Sequence, residues 1–323
     1  MKSWVLLSVF LLISVYASAQ GCSDAGFCTM GAMKPDQPYN KKIAVKLRSM
    51  EVSFYRGTTT LTPIIYVATA DMNFSLNRKT TFQIKIPFQH VEGRLANTSS
   101  LSDLSLCVTR NVYSSDKFDL NWSVGGKIPS NRSDFFTSDG NALPMYYQTS
   151  LGTWDIISGI SLINRHWLIA TGIQIPLNQN NNQFDWHDWD KNNPNPDPDE
   201  LNYVMKYPNS KYLRRGTDVM LRVERNFRLS RFNFSVGLLP IYRITADRIT
   251  PDPKTRLGER TSYDLKGNEA IGLAMSLITT AGYSFNVRSG IKLLVGHKIV
   301  QRAYSPDGLT RELVTSFTYI YRF

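Results

Sequence analysis

The densest set of metal-ligating side chains in this 323-residue chain lies between 178 and 200, where Asp185, His187, Asp188, Asp190, Asp197, Asp199 and Glu200 are interspersed with Trp186 and Trp189. Carboxylate oxygens are hard ligands that suit calcium, so Asp185, Asp188 and Asp190 are the candidate ligands. The run lacks the glycine turn and closing bidentate Glu of an EF-hand loop. Pro194, Pro196 and Pro198, alternating with Asn195 and Asp197, read as extended, solvated chain. A solvated surface loop is therefore the better-supported reading, with the tryptophans placed to form a lid or anchor a partner.

Hydrolytic chemistry needs a nucleophile within hydrogen-bond reach of a base. Two residues after His90, His166, His187 and His297 stand Glu92, Leu168, Trp189 and Ile299, so no His-x-Ser arrangement exists. No glycine loop for phosphate and no zinc spacing is present, and neither an enzyme nor a cofactor is expected. The net charge of +11 is spread singly, without a basic run, which argues against nucleic acid.

Those scattered charges are informative in another way. Lys85, Asp119, Lys127, Asp155, Arg222, Glu224, Arg228, Lys292 and Lys298 each fall on the polar phase of an alternating segment. Facing a channel they would set selectivity, with Lys and Arg favouring anions; in a filled interior they would pair with each other.

The elements that must carry these residues are strands. From Ile43 onward twelve alternating segments follow, near 43–56, 60–77, 79–92, 102–114, 116–129, 147–163, 165–178, 212–229, 231–246, 265–285, 287–303 and 309–323. Most are long enough to cross a bilayer when tilted, which takes about 9–11 residues. Phe118, Leu120, Trp122 and Val124 interleave with Asp119, Asn121, Ser123 and Gly125, and Phe232, Phe234, Val236 and Leu238 with Asn233, Ser235 and Gly237. Short connections at Asn77-Arg78, Ser115-Asp116, Asn164-Arg165, Leu229-Ser230 and Asn286-Val287 alternate with long ones at 129–147, 178–212 and 246–265, as expected when the two rims face different compartments. The first hairpin, near Gly57–Thr59, is short on the long-loop side and breaks the rule.

Only Trp4–Tyr16 is continuously apolar, which excludes a helical membrane protein; 12% aromatic content excludes a disordered chain. Lys2, the run Val5–Val15 and Ala17-Ser18-Ala19 have the pattern of a secretory signal cleaved after Ala19. A lipoprotein cut before Cys22 is the minor alternative. Export makes a Cys22–Cys28 disulfide plausible, and Cys107 reads as a buried structural thiol. Residues 1–19 are thus the signal, 20–42 a short periplasmic segment or lumen plug, and 43–323 the barrel.

Phe317, Tyr319, Tyr321 and the final Phe323 share one face of the last segment. They resemble the signal read by the barrel assembly machinery of the outer membrane. The segment Ile86-Pro87-Phe88-Gln89-His90-Val91-Glu92-Gly93, with Ser102-Asp103-Leu104-Ser105-Leu106, and the Gly152-Thr153-Trp154-Asp155 strand start resemble outer-membrane barrels of the phenol-degradation MetA-pathway family, which are similar in style to long-chain fatty-acid (FadL-like) transporters. Where that family carries glycines around Asp103, this chain has Ser100 and Ser102. The resemblance, over roughly 78–323, implies passive passage of small, often hydrophobic compounds.

The expectation is an all-β protein, a transmembrane antiparallel up-and-down barrel of about twelve strands, exported to the outer membrane of a Gram-negative cell and surrounded by lipid. Its partner is a small-molecule solute or, in a scaffold reading, another envelope protein. A secreted β-sandwich is the weaker third option. A mean hydropathy of −0.25 suits the barrel, because each strand offers only half its residues to lipid.

Overall fold

The computed structural model describes residues 46–58, 63–189, 197–249, 270–309 and 311–323. The expected signal and lead, with Cys22 and Cys28, lie outside the described residues, as does Asp190. The strands are β1 (Lys46–Thr58), β2 (Ile64–Ser75), β3 (Thr80–Glu92), β4 (Asn97–Leu101), β5 (Leu104–Ser114), β6 (Asp119–Ile128), β7 (Asp155–Ile163), β8 (Trp167–Pro176), β9 (Asp218–Leu229), β10 (Phe232–Arg243), β11 (Gly272–Ser284), β12 (Ser289–Val300) and β13 (Leu313–Arg322). Every ladder is antiparallel between chain neighbours, and β1 pairs with β13 as well as β2, so the sheet closes on itself. Closure removes the sheet edges that an open sheet would expose.

Thirteen strands make twelve staves. β4 pairs with Phe88–Glu92 and β5 with Thr80–Lys85 of the same β3. The break falls at Ser102 and Asp103, opposite Pro87, which has no N–H to give and whose carbonyl accepts from the Ser102 N–H at 2.8 Å. Asp103 turns inward there and is buried.

Alternation sorts the two faces as the sequence predicts. Phe54, Phe88, Trp122, Ile160, Leu221, Leu238, Leu293 and Phe317 are exposed on the outside, while their neighbours in sequence point into the barrel. An outward apolar face around a closed sheet is what lipid requires, and it rules out the sandwich. Aromatics gather near the turn end, where Tyr113 packs on Phe118, Phe232 on Tyr283, and Tyr321 on Phe323. Arg225 lies over the Trp167 ring at 4.9 Å. The expected assembly residues form part of the seam: Phe317, Tyr319 and Tyr321 pair with Phe54, Val52 and Met50 of β1, and the Phe323 N–H donates to the Arg48 carbonyl at 2.9 Å.

Three expected strand starts shift. The strand expected from 265 begins at Gly272; the one expected from 147 begins at Asp155, and the one expected from 212 at Asp218, because the residues before these two turn in to cover the barrel mouth. Pro198, expected in an extended segment, instead opens helix α1 (Pro198–Val204). Asp197 caps it by accepting from the Asp199 N–H at 2.9 Å, and proline at the first helical position needs no N–H partner.

Candidate functional site: the barrel lumen

The nine charged residues expected on the polar phase all share the inward phase of their strands. They do not stand alone. Lys127 Nζ lies 3.2 Å from Asp103; Arg222 donates from Nε to Glu224 at 2.9 Å. Asp155 is bonded by Arg215 and by Gln174 Nε2, the latter at 2.5 Å. Asp119 accepts from Ser114 near the turn end. Lys298 Nζ donates to Gln301 at 2.6 Å. Lys85 is paired across the ladder with Asp71 of β2, a neighbour of Glu51 in β1. Arg228 and Lys292 lie toward the turn end on the opposite wall.

Arg243 is the centre of charge at the loop end, and no sequence motif singled it out. Its side chain is fully buried and donates to Asp218 at 2.7 and 2.8 Å, to Asp247 at 2.8 and 2.9 Å, and to Asp307 at 2.8 Å. Arg302 stands 3.6–3.7 Å from Asp307 and Asp218. Burial by itself would raise the Asp307 carboxyl, but Arg243 and Arg302 hold it well below the usual carboxylate range. Asp247 is shifted up, by burial first and by the Asp307 charge, against the pull of Arg243. The available signal was phase: Arg243 continues the inward series Asn233, Ser235, Gly237. Its partners in the loops could not be read that way.

The long loops close over this end. Leu143, Tyr147, Phe184, Val204 and Tyr207 form one buried cluster with Ile65, Val91 and Val314 of the wall. Asn182 ties two of the long loops together, donating from Nδ2 to the carbonyls of Ser133 and Leu143 at 2.9 and 3.0 Å. Tyr147, Tyr203 and Tyr207 meet edge to face, with Tyr207 Oη 2.8 Å from Tyr203 Oη and 3.3 Å from Tyr147 Oη. Burial pushes the Tyr147 phenol up to about 12. The loop read as solvated is therefore packed in its first half: Asn180, Asn182, Phe184 and Trp189 are buried. Side-chain amides satisfying loop carbonyls let irregular backbone be buried without an unsatisfied cost.

Two of the calcium candidates, Asp185 and Asp188, sit in that cap. Asp185 accepts from the His187 N–H and lies 2.7 Å from its Nδ1, and Asp188 pairs with Lys211 at 2.9 Å. No group of three or more His, Cys, Asp or Glu among the described residues is placed to hold a metal.

Midway between cap and turns one patch of the inward face, on β5 and β7 to β12, is apolar, which the expectation of a polar interior did not contain. Cys107, Ile157, Ala170, Met220, Leu239 and Ile278 form a buried belt, backed by Ile241 and Leu294. Cys107 is buried within it, with its Sγ 3.8 Å from Thr109 Oγ1.

Pairing also creates what spacing excluded. His90 of β3 stands opposite Ser99 of β4, with Nδ1 2.6 Å from Ser99 Oγ on an exposed face. Tyr66 stacks against the imidazole.

The closed antiparallel barrel is a fold shared with a known structure. An outer-membrane channel from Pseudomonas putida F1 superposes with a TM-score of 0.59 at 12% identity, covering 90% of this chain and 100% of that one. The fold is that of an outer-membrane β-barrel. The NanC porin aligns with a TM-score of 0.44 at 8% identity over 85% of this chain and 98% of its own. Phospholipase A of the Escherichia coli outer membrane aligns with a TM-score of 0.40 at 8% identity over 86% and 98%. No known family model and no curated protein sequence matches the chain.

Proposed function

We propose that this barrel is an outer-membrane channel for passive passage of small solutes, hydrophobic or weakly polar in character. The observation that carries the reading is the apolar belt of Cys107, Ile157, Ala170, Met220, Leu239 and Ile278 across the middle of the lumen. A belt of this kind costs a hydrated ion its water shell and costs an apolar solute little. The likeness of 86–93, 102–106 and 152–155 to barrels of the phenol-degradation MetA-pathway family supports the same preference. Asp103 of the first segment accepts from Ser150 Oγ at 2.5 Å and from the Leu151 N–H at 3.3 Å, just before the second segment. In this reading the turn rim faces the periplasm of a Gram-negative cell and the loop rim faces outward.

The test is flux from proteoliposomes loaded with a neutral aromatic solute and, separately, with a sugar. The expected result is faster release of the aromatic than from protein-free vesicles. Absence of flux, both for the full chain and after deletion of residues 20–42, overturns the proposal.

A second reading, a scaffold within an envelope complex, is favoured by the tightly packed cap of Leu143, Tyr147, Phe184 and Tyr207. Co-purification of a stoichiometric envelope protein, together with absent flux, would select it.

A further inference from the structure

At the turn end the lumen opens into a cavity of about 230 Å³ whose lining includes Arg228, Asn233, Thr280, Gly282, Lys292 and Arg322. Its residues come from five consecutive staves, β9 to β13. Arg228 pairs with Asn233, Asn233 with Gly282, Gly282 with Lys292, and Lys292 with Thr318, so these side chains form one continuous inward row across neighbouring strands. Gly282 interrupts the row. A Cβ added there would meet only ordinary contacts at 3.5–3.9 Å, so the glycine leaves open the space between the amide of Asn233 and the ammonium of Lys292. Arg322 enters from β13, where Ile320, two positions deeper, pairs with Gly290.

The cavity lining contains no Asp or Glu. Neither Lys292 nor Arg322 has an ion-pair partner within 4 Å among the described residues. Glu224, two turns of the alternation deeper on β9, feels the charge of Lys292 but has its Oε2 bonded by Arg222. The carboxylates of Glu51 and Asp71 lie on β1 and β2, beyond β13 on the far side of the seam. Positive charge is thus concentrated on one wall, in a concave site where low-dielectric walls focus the field.

We infer that this vestibule binds a small oxyanion, a carboxylate or a phosphate, held by Arg228, Lys292 and Arg322 with the Asn233 amide beside them. Guanidinium groups match the two oxygens of a carboxylate or phosphate, and the volume lies below the usual range for drug-sized ligands, which limits the guest to a small molecule. The inference goes beyond the channel reading: the vestibule lies on the turn side of the apolar belt, and binding there requires no passage of the anion through it.

The test uses the folded full chain in a neutral detergent and isothermal titration with benzoate, inorganic phosphate and benzyl alcohol, the neutral counterpart of benzoate. Saturable binding of at least one anion is expected, with none for the alcohol; the tighter anion names the head group. The double variant Lys292→Gln, Arg322→Gln should bind at least about tenfold more weakly, while Lys292→Arg retains binding. Unchanged heat-modified gel mobility shows that each variant is folded, and Arg225→Gln, on the outer face, serves as a control for charge alone. Absence of anion binding, equal binding of benzyl alcohol, or indifference to the double substitution overturns the inference. Because binding needs no transport, loss of flux with intact binding would remove the channel reading alone.

Discussion

Arg243 Nη2 donates to Asp307 at 2.8 Å, joining the last residue of β10 to the connection between β12 and β13. Both side chains are fully buried, so the bond locks a loop into the barrel mouth. Replacing Arg243 with Leu leaves Asp218, Asp247 and Asp307 close together without their common partner. Breaking a buried pair from one side costs about 3–5 kcal/mol. The expected result is a lower urea midpoint for the folded barrel and early protease cleavage within 301–312.

Acid should loosen the same loop. The Asp307 carboxyl is held below its ordinary value, so its contribution is present above the unfolded carboxylate pKa of about 4 and is lost as pH falls through the folded value. Asp247 is shifted the other way and takes up its proton first, which relieves repulsion from Asp307 rather than weakening the site. Hydrogen exchange across 301–309 should therefore stay slow in mild acid and accelerate only below the usual carboxylate range. Loss of protection already between pH 7 and pH 5 would contradict this assignment.

Gly93 lies beneath the loop cap, and a Cβ there would stand 2.6 Å from both Cε1 and Oη of Tyr147. Tyr147 cannot retreat freely because Tyr207 packs on it at 5.8 Å between ring centroids. Gly93→Ala should cost about 1–3 kcal/mol through overpacking. Tyr147→Phe in the same chain removes only the hydroxyl and should restore part of the loss, which thermal unfolding of the double variant will show.

Leu238, exposed at the middle of β10, tests the assignment of faces. Leu238→Arg should cost about 2–4 kcal/mol in a bilayer, read from unfolding in lipid vesicles. An Arg placed instead at the outward Tyr242, near the loop end of the same strand, should cost much less. Equal costs would contradict the membrane placement of the outer face.

The belt makes a separate prediction about conduction. Leu239→Ser and Ile278→Ser together place hydroxyls in the apolar zone and should admit water, since hydrophobic constrictions gate by dewetting. Single-channel recording in planar bilayers should show higher ion conductance in the double variant than in the parent. Unchanged conductance would mean that the barrier to ions lies in the loop cap.

Strand number, face assignment and the inward position of Lys127, Asp155, Arg222 and Glu224 were legible in the sequence because a strand has a period of two, so one residue's phase settles that of the whole segment. Closure followed from the aromatic phase of the last strand, which meets Met50, Val52 and Phe54 in β1. Other features had no local signature. The cap joins Tyr147 to Tyr207 across 60 positions, and Arg243 to Asp307 across 64; the His90 and Ser99 contact arises from register between two strands. The belt was hidden too, because Ile157, Met220 and Leu239 each occupy an inward phase that elsewhere carries polar residues, and only the curvature of the closed sheet brings them to one height. The sequence by itself determined a barrel and which residues look inward, through alternation. The tertiary structure decided what fills the barrel, because packing and ion pairing depend on distances between segments far apart in the chain.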